Sequence, residues 1–123
     1  MNLSLDENHA KYQIRGFTPG TIQVNEQTFT QSIIIAPDTL ITNWPPQHIE
    51  ELQAKHVDIL AASHPSIILI GTGTTLIFPS IDIYGHLLNR GIGVEIMDTA
   101  AACRTYNALT SENRKVVAGL IIQ

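Results

Sequence analysis

The sequence predicts a three-layer α/β domain, with a mostly parallel sheet, crossover helices and an N-terminal β-meander. Three observations carry this. From residue 33 onward, aliphatic runs alternate with stretches of helical spacing, in the order strand, helix, strand, helix, strand, helix, strand. The runs at 33–35, 66–70 and 116–122 are almost continuously apolar, as strands buried on both faces are. Before residue 33 the apolar positions are short, alternating and separated by turn signals. Across 123 residues, 44% of them hydrophobic, the chain has material for one core. The predicted division is a frayed polar N-terminus at 1–11 and a single α/β domain at 12–123.

Tyr12, Ile14 and Phe17 form the first short strand, which runs into the turn Thr18-Pro19-Gly20. Ile22 and Val24 alternate with Gln23 before Asn25-Glu26-Gln27, and Phe29 follows. These pieces are expected to cover one face of the sheet rather than join it, because the buried strands need shielding on both sides. Ile33–Ile35 is the first buried strand. Trp44-Pro45-Pro46 opens a helical segment with Ile49, Leu52, His56 and Leu60 near helical spacing, closed by His64-Pro65. Ser66–Gly71 is the second buried strand and ends in Gly71-Thr72-Gly73-Thr74-Thr75. Pro79-Ser80-Ile81-Asp82 starts a second helix, with Ile81, Tyr84, Leu87 and Leu88 as its apolar face and Asn89-Arg90-Gly91 as its stop. Gly93–Met97 is a third strand, and Asp98 or Thr99 caps a helix that runs to about Glu112 with Ala102, Tyr106 and Leu109 as its stripe. Val116–Ile122 is the last strand. Ile34, Ile68, Leu69, Ile70, Val94 and Ile96 are expected to be nearly fully buried.

Composition excludes several functions. Charged residues are only 15% of the chain and its net charge is −4, so there is no basic footprint for nucleic acid. The only cysteine, Cys103, rules out an intrachain disulfide and any cysteine-based metal cluster. The opening MNLSLDENHAKYQIRG lacks the basic and apolar regions of a signal peptide, and no apolar run reaches the ~20 residues of a membrane helix. The expectation is a cytoplasmic protein that is not inserted in a membrane and carries no cofactor or metal.

Three stretches resemble one family: Ile68-Leu69-Ile70-Gly71-Thr72-Gly73, then Gly91 through Leu109, whose Met97-Asp98-Thr99 and Arg104-Thr105-Tyr106-Asn107 are the most specific part, then Glu112–Ala118. Gly16, Pro19-Gly20, Ile22, Val24 and Ile33–Ile35 fit the same pattern in order, so the resemblance covers about residues 12–122. The family is an uncharacterised bacterial and archaeal one that also includes a mitochondrial respiratory complex I assembly factor and an adipogenesis-associated animal protein. The resemblance implies a compact three-layer α/β fold with a β-hammerhead-like N-terminal part. It implies no established catalysis, and it implies action through protein partners. Asn113 departs from the pattern, standing where relatives often carry Gly.

Ligands of parallel α/β sheets favour the crevice outside the carboxyl ends of the strands, here Ala36–Asp38, Gly71–Thr75 and Met97–Thr99. Gly71, Thr72, Gly73 and Thr74 could present N–H and hydroxyl donors to a small anion, with the helix starting at Thr99 adding its positive end. The alternative is a tight strand-to-loop turn that needs small residues. No Lys follows the glycines, so this is not a P-loop, and no third glycine makes a dinucleotide motif. Arg104 and Asn107, three apart, share a helix face and could serve a pocket or an interface; otherwise Arg104 is a solvated side chain and Asn107 pairs with loop backbone. Asp98 is a possible general base but is preferred as an N-cap. Cys103 is a possible nucleophile but is preferred as a buried packing residue. Asp82 with His86, and His48 with His56, could each offer metal ligands, but no third ligand can be named, and surface pairs or caps are preferred. Two functions follow: a protein-binding, assembly-factor-like module with an unknown partner, or an enzyme or sensor that holds a small anionic ligand in the Gly71–Thr75 crevice with Asp98 and Arg104.

Overall fold

The computed structural model describes residues 8–123. Of the expected frayed segment, residues 1–7 lie outside the described residues. Asn8 is tied down: its amide donates to Thr110 Oγ1 at 2.8 Å and to the Asn107 carbonyl at 3.4 Å.

The N-terminal meander is an antiparallel three-stranded sheet of β1 (Ile14–Thr18), β2 (Thr21–Val24) and β3 (Gln27–Phe29). The main sheet comprises β4 (Ile33–Ala36), β5 (Thr39–Ile41), β6 (Ile67–Thr72), β7 (Gly93–Met97) and β8 (Val116–Ile121), in the order β5-β4-β8-β6-β7. Three helices connect it: α1 (Ala54–Leu60), α2 (Ile81–Leu88) and α3 (Thr99–Ser111).

The expectation of a mostly parallel sheet is corrected. The small sheet is antiparallel and the main sheet is mixed: β6 pairs parallel with β7 and β8, while β4 pairs antiparallel with both β5 and β8. The cause is a hairpin. Pro37-Asp38 turns the chain straight back into β5, and β8 enters between β4 and β6. With every residue buried, β8 takes the centre, where both its edges are paired and both its faces covered. One consequence is that Ala36–Asp38, the carboxyl end of β4, lies at the opposite end of the sheet from Gly71. The register puts Ile33 and Gly71 both beside Leu120.

Alternation of side chains divides the core into two. Ile33, Ile35, Leu69, Ala118 and Leu120 face α3 and the meander, which therefore covers one side of the sheet as expected. Ile34, Ile68, Ile70, Val117 and Ile121 face α1, α2 and the 42–53 segment. Trp44, 1% exposed, fills the second core, and its indole N–H donates to the His56 carbonyl at 3.2 Å.

Ile34, Ile68, Leu69 and Ile70 are buried as expected, but Val94 and Ile96 are only half-buried. They lie on β7, an edge strand whose Glu95 points to solvent. The helix expected from Trp44 is broken into a 3₁₀ turn at Ile49–Glu51 and the separate helix α1. On α2 the buried face is Leu87, with Ile83 and Tyr84 against it; Ile81 and Leu88, expected inside, are exposed. Asn113 adopts φ 61°, a left-handed conformation that Gly and Asn tolerate best.

His56 closes the start of α1. It is 7% exposed, and its Nδ1 accepts the Gln53 N–H at 3.0 Å, so the neutral ring is the one that fits. Burial first, and the Lys55 charge second, hold its pKa below the usual 6.5. The unfolded chain therefore takes up the proton first, and stability is full above about pH 6.5 and falls as pH drops through and below it. Melting temperatures measured from about pH 7 to 5 should fall less steeply for His56→Gln than for wild type. Parallel curves would contradict this role.

Candidate functional site

The carboxyl end of β6 and the start of α3 are laced together. Asp98 is the N-cap: its Oδ1 accepts the Ala101 N–H at 2.8 Å. Thr99, fully buried, donates its N–H to the Gly73 carbonyl at 2.9 Å. In return its hydroxyl accepts the Gly73 N–H at 2.8 Å and donates to the Ile121 carbonyl at 2.5 Å. Thr72 Oγ1 donates to the Thr75 carbonyl at 2.7 Å and accepts the Ile77 N–H at 3.3 Å. A Cβ on Gly71 would sit 2.8 Å from Thr99 Oγ1. Gly73 has φ +104°, and a Cβ there would collide with the Gln123 carbonyl oxygen. Gly71, Thr72 and Gly73 are buried while Thr74 is exposed. The buried hydroxyls and the Gly73 N–H thus serve a strand-to-helix latch.

Arg104 and Asn107 sit away from this loop, against β1. Asn107 grips Ile14 at the irregularity in β1: its Nδ2 donates to the Ile14 carbonyl at 2.7 Å and its Oδ1 accepts the Ile14 N–H at 3.1 Å. Arg104 is exposed and lines, with Arg15, Gly16, Phe17 and Cys103, a depression of about 230 Å³. No residue of Gly71–Thr75 lines it.

Cys103 is 5% exposed, and burial pushes its thiol up to about 12 against a smaller opposing pull from Arg104. At neutral pH it is a protonated, packed thiol. Cys103 in the folded protein should resist a thiol-specific disulfide reagent that labels it fully in urea, and Cys103→Ser should keep any cellular activity. Rapid native labelling, or lost activity at an unchanged melting temperature, would restore it as a nucleophile.

Among the described residues, no three His, Cys, Asp or Glu side chains are grouped to hold a metal. His86 Nε2 instead meets Asp58 Oδ1 at 2.5 Å on the surface between α1 and α2.

Two surface features were not singled out from the sequence. The first is an apolar strip on the irregular segment after β6, with Leu76 46%, Ile77 42% and Phe78 67% exposed. It continues onto α2, where Ile81 and Leu88 are 55% and 43% exposed and lie two turns apart on one face. The four consecutive apolar letters Leu76-Ile77-Phe78-Pro79 were its signal. The second is a groove of about 690 Å³ at the other end of the sheet, between the β4–β5 hairpin, the end of α1 and the turn from α3 into β8.

Fold and surface together define a small three-layer α/β module with exposed apolar side chains after β6 and on α2. The chain belongs to the family described as "Protein of unknown function (DUF498/DUF598)", whose model matches residues 14–121. It is 40% identical over 68 residues to the "13 kDa major membrane protein" of Francisella tularensis subsp. holarctica, covering 55% of this chain and 55% of that protein. It is 27% identical over 110 residues to NADH dehydrogenase [ubiquinone] 1 alpha subcomplex assembly factor 3 of Danio rerio, covering 88% of this chain and 63% of that one. The chain thus spans less than two thirds of the length of these two relatives. An NMR structure of a Xanthomonas campestris protein superposes with a TM-score of 0.83 at 41% identity, covering 99% of this chain and 91% of that one. Among the described residues no helix is long and apolar enough to cross a membrane.

Proposed function

We propose that this chain is a protein-binding module that acts in the assembly of a larger complex and holds its partner through the apolar strip at Leu76–Ile81. The observation that carries this reading is Phe78, 67% exposed among exposed neighbours. A large contiguous apolar surface left in water is costly and marks a contact surface. Aromatic side chains are common anchors of such contacts. The strip also lies on an irregular segment held at its base by Thr72, which presents it on a fixed platform. The family likeness to a protein named as an assembly factor supports the same reading. The partner is a protein with a complementary apolar pocket, and Phe78→Asp is the variant that tests it by quantitative capture.

The small-anion alternative placed in the Gly71–Thr75 crevice with Asp98 and Arg104 finds no support in that loop, whose donors are committed to each other; a different place for an anion is the depression that Arg15 and Arg104 both line. Arg104→Ala separates the two readings. If the strip is the contact surface, this variant captures partner as wild type does; if the depression holds a small anion, the variant loses the saturable binding of an anion probe such as sulfate that wild type shows.

A further inference from the structure

We propose that the groove at the amino end of β8 binds a small amphipathic carboxylate, an apolar body with one anionic head. This goes beyond the protein-binding reading and uses a different surface. Ile34, Leu60 and Val116 line its inner part, and Ile41 and Ile59 add apolar surface that is 42% and 48% exposed. Lys11, Arg114 and Lys115 line it too, three of the seven lysines and arginines of a chain whose net charge is −4. Asp38 is the one acidic residue among the lining side chains. Positive charge in an acidic protein is therefore gathered where apolar surface is also open, which is what an apolar anion recognises. Its volume of about 690 Å³ falls inside the roughly 300–1,000 Å³ of small-molecule sites. The Asp38 carboxylate repels a doubly charged phosphate about twice as strongly as a singly charged carboxylate, which favours the single charge.

Sodium octanoate titrated into the isotope-labelled full chain tests this by NMR. The expected result is saturable shifts of the Ile34, Ile41 and Ile59 methyl groups. Acetate, 1-octanol and octyl phosphate should each bind at least about tenfold more weakly, since each lacks one feature of the match. Ala62→Trp, which fills the groove from an exposed position, and the double charge reversal Arg114→Glu with Lys115→Glu should each weaken octanoate about tenfold or more while the protein still folds. Should Ala62→Trp misfold, the charge reversal alone decides. Partner capture through the strip should survive both, so failure of one proposal is distinct from failure of the other. Shifts that do not saturate, 1-octanol binding as well as octanoate, or unchanged affinity in the folded variants would overturn the proposal. So would an acidic, apolar peptide that competes for the groove about tenfold more tightly, which would assign it to a protein partner.

Discussion

Gly73→Val is expected to unfold the domain rather than to leave a folded protein with an empty binding loop. Two effects act together. The residue holds φ +104°, where a β-branched side chain is strained, and its Cβ would run into the backbone carbonyl of Gln123. A shift of Gly73 that relieves either effect breaks its reciprocal pair with Thr99, and disturbs the Thr99 bond to Ile121. Each buried partner left alone costs roughly 1–3 kcal/mol. The sum exceeds ~4 kcal/mol, most of the stability of a domain at the low end of the usual ~5–15 kcal/mol. Urea melts and a two-dimensional NMR spectrum would check it. A well-dispersed spectrum with a near-normal midpoint would mean that the loop tolerates bulk, and would return the anion-cradle reading to consideration.

The local elements were legible because they rest on local chemistry. Asp98 sits one residue before an apolar stripe and caps α3; Asn89-Arg90-Gly91 stops the chain after α2; Val116–Ile121, without a polar residue, could only be buried. What periodicity does not carry is which strands become neighbours. Nothing in Ile33–Ala36 says that β8 rather than β6 will pair with it, and Pro37-Asp38 reads equally as a loop to a helix or as the turn of a hairpin. The parallel expectation failed there, and the end of β4 went to the wrong side with it. Val94 and Ile96 read as core for the same reason: an edge strand and a central one can share a composition, while only neighbours decide exposure.

Site residues divide along the same line. Asp98 bonds the backbone three residues on, which is the cap weighed from the sequence, whereas Asn107 bonds not a nearby loop but Ile14 of β1, 93 residues away, a contact only the fold makes. The groove was illegible, because His9–Lys11, the β4–β5 hairpin, the end of α1 and residues 113–117 meet only in the fold. The strip was half legible. Leu76–Pro79 is plainly apolar, but whether such a run faces the core or water depends on what packs over it.

Phe78→Asp is expected to reduce partner capture by a factor of about 30 or more, corresponding to the ~2 kcal/mol of an interface hot spot, while the domain folds normally. The substitution places a charge where an apolar partner surface would have to desolvate it, and at 67% exposure the native ring contributes little to the fold. Whether the strip is the contact surface is decided by capture of partner proteins, quantified at equal concentrations of folded protein for wild type, Phe78→Asp and Arg104→Ala, with a charge-reversed groove variant alongside. The predicted result is a specific, saturable partner that Phe78→Asp loses and the other two variants retain. Equal recovery by wild type and Phe78→Asp would contradict the role of the strip, and loss of the partner with Arg104→Ala alone would move the contact surface to the face of α3.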